Sequence, residues 1–173
     1  MEGLVMVALP SWQSIGGNSS LLRHGLNVWP PFAFAGIRVA QLSTDFRRAR
    51  VELASNPLTR NYVGTQFGGS IFAMTDPFWM FLTMRSLGED YIVWDQAAEV
   101  RFVKPGRGRL HAEFEVTDEL INELREAASG GGKVLRWCET DVRDDSGEIV
   151  AQVRKQLYVR LKRRATSELE RSS

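Results

Sequence analysis

The chain reads as an α+β domain in which one long central helix lies against a curved, mostly antiparallel sheet. Two observations carry that expectation. From Glu148 to Lys162, Ile149, Ala151, Val153, Leu157, Val159 and Leu161 alternate with Gln152, Arg154, Gln156 and Arg160, the period of a half-buried strand. From Ser70 to Leu87 the apolar residues Ile71, Phe72, Met74, Phe78, Trp79, Met80, Phe81, Leu82 and Met84 fall on nearly every side of a helix. A helix apolar all round is buried on more than one face, by a sheet wrapped around it or by a sheet and a partner subunit.

The other elements follow from the same periods. Ala49, Val51 and Leu53 face away from Arg48, Arg50 and Glu52, and Ala98, Val100 and Phe102 repeat that alternation, as do Leu110, Ala112, Phe114 and Val116. Val134 to Val142 adds a strand. Asp145-Ser146-Gly147 and Pro105-Gly106-Arg107-Gly108 have turn chemistry, and both read as hairpins. Thr117-Asp118-Glu119-Leu120 opens a short helix with a capping residue and early acids, and Gly130-Gly131-Gly132 ends it. Residues 11–31 are rich in Ser, Gly, Asn and Pro, and Trp29-Pro30-Pro31-Phe32 reads as an extended segment laying aromatics over a core.

Composition narrows the class. With 173 residues, 43% hydrophobic and 25% charged, the chain suits one soluble domain with a sizeable core. It divides into an N-terminal extension over 1–26, a main domain over 27–163 and a polar tail over 164–173. A net charge of +1 does not point to nucleic acid, and Lys162-Arg163-Arg164 reads as a solvated end. The single cysteine, Cys138, excludes an intrachain disulfide framework and reads as a small buried strand residue in a reducing compartment. Met1 to Pro10 lacks a positively charged leader and is too short to span a bilayer, so the expectation is a cytoplasmic protein with no membrane partner. Neither His-x-x-x-His nor a cysteine pair is present, and no metal site is expected.

The chemistry concentrates in residues 61–79, where Asn61, the pair Gly68-Gly69 and Asp76 punctuate an apolar run. Two glycines before a helix let its backbone approach a ligand and leave N–H groups pointing at it. A carboxylate in apolar surroundings requires a reason. Asp76-Pro77 also reads as an N-cap followed by Pro at the first helical position, Gly68-Gly69 as a close-packing device, and Asn61 as a turn residue.

The stretch Asn61-x-x-Gly64-x-x-x-Gly68-Gly69 before a central helix resembles the hotdog fold, in the spacing of phenylacetate-pathway-type thioesterases. In those enzymes an Asn precedes His-Gly-Gly, and Leu-Ala-Asp closes the motif; here Asn61, Phe67-Gly68-Gly69 and Met74-Thr75-Asp76 stand at the same separations. Over residues 27–161 the chain is closer still to a little-characterised bacterial hotdog family. That family is marked by Asn-x-Trp-Pro-Pro-Phe, Gly-Thr-x-Phe-Gly-Gly-Ser and Tyr-Ile-Val-Trp-Asp, present here at Asn27 to Phe32, Gly64 to Ser70 and Tyr91 to Asp95.

The resemblance implies an acyl-CoA thioesterase that needs no cofactor, coenzyme A being part of the substrate. Thioester hydrolysis requires a base or nucleophile near the carbonyl carbon and donors where the oxygen becomes negative. Asp76 fits the first role, the Gly68 amide the second, and Asn61 would orient water or thioester. Along one helix Gly68 and Asp76 would stand about 12 Å apart, too far to share a carbonyl. A two-fold dimer with antiparallel central helices, possible also within a dimer of dimers, would bring Gly68 of one chain to Asp76 of the other. Substrate contacts are expected from Phe67, Gly69, Phe72, Trp79, Lys104 and Arg107, with Arg101 and Arg109 adding positive charge for phosphates. Phe78, Phe81 and Trp94 join the candidates for an acyl lining. Phe67 replaces the relatives' histidine and has no proton to give. His111, on the polar face of its strand, and His24 are the other histidines. A catalytically weak acyl-CoA binding protein is therefore the alternative, and a hydratase on the same fold a more distant one.

Overall fold

The computed structural model of the protein describes residues 16–162. The expectations for Met1 to Pro10, for Arg163-Arg164 and for the tail over 164–173 lie outside them. Asn18 caps the first helix, α1 (Ser19–Val28), by accepting hydrogen bonds from the amides of Ser20 and Leu21. The aromatic segment after it is not extended but helical, α2 (Pro30–Ala35). Its two prolines occupy the first turn, where a missing N–H costs nothing, and Gly36 ends it at φ 75°. Phe32 is thereby buried under the core.

Strands β1 (Ile37–Leu42) and β2 (Arg48–Leu53) form an antiparallel pair. The central helical stretch follows as two pieces, α3 (Gly68–Ala73) and α4 (Phe78–Leu87), rather than one. Pro77 accounts for the break, since it offers no N–H and restricts the residue before it. The remaining elements are β3 (Tyr91–Phe102), β4 (Leu110–Glu115), α5 (Asp118–Ala128), β5 (Val134–Asp144) and β6 (Ile149–Leu161).

Six strands make one antiparallel sheet in the order β1-β2-β4-β5-β6-β3. Asp145-Ser146-Gly147 closes the β5–β6 hairpin as expected. Pro105 to Gly108 does not close a hairpin: β3 lies at the sheet edge beside β6, while β4 lies between β2 and β5. The turn residues signalled a reversal of the chain, but the partner of each strand is fixed by packing far away in sequence. The core lies between the sheet and the helices. Phe78 of α4 stacks on Phe114 of β4 at 5.0 Å between ring centroids, and Phe46 meets Phe81 at 5.8 Å.

On β3 the alternation read from the sequence is in phase with the inner face. Ala98, Val100 and Phe102 sit opposite Lys155, Val153 and Ala151 of β6. Val153 and Ala151 are buried, yet Ala98 and Phe102 remain exposed, because the described residues do not cover the sheet at this edge.

Candidate functional site

Residues 61–66 form a loop tied together by Asn61. Its Oδ1 accepts from the amides of Val63 and Thr65 at 3.2 and 3.0 Å, and its Nδ2 donates to Thr65 Oγ1 at 2.9 Å. Gln66 then anchors the loop to the sheet, donating from Nε2 to the carbonyls of Ala54 and Gly108 at 3.0 and 2.8 Å. The chain enters α3 with Phe67 as N-cap. Phenylalanine supplies no capping acceptor, so the first-turn amides of Gly68 and Gly69 receive no side-chain cap. The two glycines also make room for aromatic rings. A Cβ on Gly68 would lie 2.9 Å from Phe102 Cζ, and one on Gly69 would lie 2.3 Å from Phe67 Cε1.

Asn61, Gly68, Ile71, Phe102, Lys104 and Arg107 line one open groove of about 620 Å³, a size that suits a small organic ligand. Arg107 also lines a smaller adjoining cavity with Arg60, a cation the sequence reading did not single out. Lys104 is less available than its sequence position suggests. It is paired with Asp144 at 2.7 Å and with Glu148, and these hydrogen bonds hold its ammonium above the usual range and the Asp144 carboxyl well below its own. Arg101 and Arg109 lie outside this lining.

Asp76 stands apart from that groove, in the turn between α3 and α4. Its carboxylate does not cap α4, whose N-cap is Pro77 without a side-chain bond. It pairs instead with Nζ of Lys155 on β6, and 58% of the Asp76 side chain remains exposed. Lys155 escaped the sequence reading. It occupies the inward phase of β6 between Val153 and Leu157, its side chain 2% exposed, and it also contacts Asp95 Oδ2 at 3.1 Å. A lysine in the apolar phase of an alternating strand was the signal, since burying an ammonium requires a partner. Burial is the main cause that raises the Asp95 carboxyl above its ordinary range, against the opposing pull of Lys155.

The remaining candidates divide by burial. Phe72 faces Lys155, with its ring centroid 4.8 Å from Nζ. Trp79 is packed in the core, donating from Nε1 to Thr140 Oγ1 at 2.6 Å. Trp94 is not part of an apolar lining; it is exposed and stacks on Tyr158 at 4.3 Å. Phe78 and Phe81 line an apolar cavity of about 530 Å³ between α1, β1 and α4, which includes Pro77, the neighbour of Asp76. Cys138 is buried as expected, and burial pushes its thiol up to about 11. His24 donates from Nδ1 to Ser20 O at 2.6 Å within α1, and His111 lies on β4 between Glu52 and Arg143.

The architecture is shared with solved structures. A Pseudomonas aeruginosa protein of unknown function, described as a probable thioesterase, superposes with a TM-score of 0.71 at 23% identity, over 82% of this chain and 95% of that one. A thioesterase from Haemophilus influenzae gives 0.61 at 14% identity, over 83% and 91% of the two chains. A thioesterase family protein from Silicibacter pomeroyi gives 0.57 at 18% identity, over 80% and 95%. At these identities the likeness concerns the fold, which is the hotdog fold. No curated protein matches the chain by sequence. Residues 17–159 match the model of DUF4442, a domain of unknown function, and the chain belongs to that family.

Proposed function

We propose that the protein hydrolyses an acyl thioester, with Asp76 as the general base or nucleophile. The observation that carries this reading is the state of Asp76: a half-exposed carboxylate held by a buried ammonium instead of spent on a helix cap. Acting as a base, Asp76 takes a proton from water as the water oxygen bonds to the carbonyl carbon. The C–S bond then breaks, and the proton passes from Asp76 to the departing thiolate. The uncapped Gly68 amide would hold the carbonyl oxygen while it is negative. Arg60 and Arg107, at one end of the groove, suit the phosphates of coenzyme A, and the cavity beside Pro77 suits an acyl chain.

Gly68 and Asp76 of one chain do not share the groove, so the reading requires a second copy. An exposed apolar band supports one: Tyr62, Val63, Phe67, Phe102 and Val103 are all solvent-facing around the start of α3. Ala98 and Phe102 belong to an inner sheet face that the described residues leave exposed at this edge. Two subunits paired about a two-fold axis would each donate Gly68 to the other's Asp76.

Mixing two inactive variants tests this arrangement. Gly68→Pro removes an N–H at a helical position that tolerates proline, and Asp76→Asn removes the base. Unfolding and reassembling them together should restore about 25% of wild-type activity, because half the dimers are mixed and each has one intact site. No recovery would contradict a site shared between the two subunits. One observation favours a second reading, an acyl-ligand binding protein: the Phe67 ring lies over Gly69, where a hydrogen-bonding side chain would otherwise approach the substrate. Retained acyl-CoA binding without thiol release would support it.

A further inference from the structure

Asp95, which ends the Tyr91-Ile92-Val93-Trp94-Asp95 motif, stands next to the proposed reacting group without touching it. Lys155 Nζ is enclosed by Asp76 from the α3–α4 turn, Asp95 from β3 and the Phe72 ring from α3. From β5 the facing titratable group is Cys138, directly across from Lys155, and burial keeps its thiol protonated at neutral pH. Arg136 and Glu123 reach the cluster with opposite effects on that thiol. The charges in contact are thus one ammonium and two carboxylates.

The two carboxylates are differently placed. Asp76 is 58% exposed, whereas Asp95 is 19% exposed and its Oδ1 is buried without a hydrogen-bond partner among the described residues. A base that takes up a proton, or a nucleophile that becomes acylated, loses its negative charge during turnover. Were Asp76 the sole counter-ion, each such step would strand a buried ammonium, which is strongly unfavourable.

Resting on the reading of Asp76 as the reacting carboxylate, we propose that Asp95 is the standing counter-ion of Lys155. It is a positioning residue that keeps the ammonium paired while Asp76 passes between charged and neutral forms. Lys155, fixed from β3, in turn holds one oxygen of Asp76 and leaves the second without a partner among the described residues. The enclosure of Asp95 is unfavourable in itself, since burial raises its carboxyl and the Asp76 charge adds to the rise. A group that opposes folding where it stands, beside a reacting carboxylate, is a mark of a functional constraint.

Asp95→Asn tests the assignment in wild-type background with an acyl-CoA substrate. The variant is expected to keep or gain thermal stability and to keep KM within about threefold, while kcat falls about 10- to 100-fold. Wild-type kcat would overturn the proposal, and so would parallel loss of stability and activity, which is the behaviour of a structural residue. A second readout needs no turnover: the Asp95 carboxyl is titrated by carbon-13 NMR in the wild type and in Asp76→Asn. Removing the repelling charge should move Asp95 titration to lower pH, and an unchanged curve would overturn the cluster's coupling whatever the activity. A wild type that hydrolyses no thioester but shows this shift would instead overturn the hydrolase reading and leave Asp95 as the counter-ion.

Discussion

Phe102 fills the space that a side chain at Gly68 would require. The ring is half-exposed, so a methyl group 2.9 Å from its Cζ displaces the far end of a side chain rather than backbone. Gly68→Ala should therefore keep Tm within about 4 °C of wild type, a change below ~1 kcal/mol for a chain of this size. The displaced ring narrows the groove, and the KM for an acyl-CoA should rise about tenfold if the substrate crosses Gly68. Thermal unfolding and steady-state kinetics on the same preparation separate the two effects. A large loss of stability would mean that the ring is fixed, and an unchanged KM would remove the substrate from this end of the groove.

Lys155→Met should be far more damaging than its conservative volume suggests. It leaves the Asp95 carboxylate desolvated with neither oxygen paired by a cation, at a cost of about 3 to 5 kcal/mol. Adding Asp95→Asn removes that charge and should recover most of the loss. Urea denaturation of both single variants and the double variant measures the coupling, and additive effects would show that the two side chains do not share an environment.

Much of the fold was legible because alternation and turn chemistry are local. Strands β4, β5 and β6, helix α5 and the Asp145-Ser146-Gly147 turn lie where their residues predict. The pairing of β3 was not legible, because Pro105 to Gly108 permits a reversal without specifying which strand receives it. Helix α1 was hidden by its Ser and Asn content, although Asn18 is a good cap. At the site, Gly68, Asn61, Lys104 and Arg107 share the groove, whereas Asp76 faces a lysine 79 residues away in sequence. That partner was invisible to any reading of the segment around Asp76, and only the inward phase of Lys155 on β6 announced it.

Alkaline pH should weaken the fold through Cys138. Its thiol is raised from 9.0 to about 11 by burial, so between those values the folded chain retains a proton that the unfolded chain has lost. Stability is then complete below the unfolded value and declines as pH rises through the folded one, by about 2 to 3 kcal/mol in total. Chemical denaturation from pH 8 to 11 should show this decline in the wild type and less of it in Cys138→Ala. Equal slopes would show that other groups govern the alkaline limb.

Thiol release from short, medium and aromatic acyl-CoAs by the wild type and by folded Asp76→Asn is the most direct measurement. Turnover by the wild type with a loss of about 100-fold or more in the variant is the expected result. Equal turnover by the two proteins, or acyl-CoA binding without turnover by the wild type, would contradict the assignment of Asp76 as the reacting group.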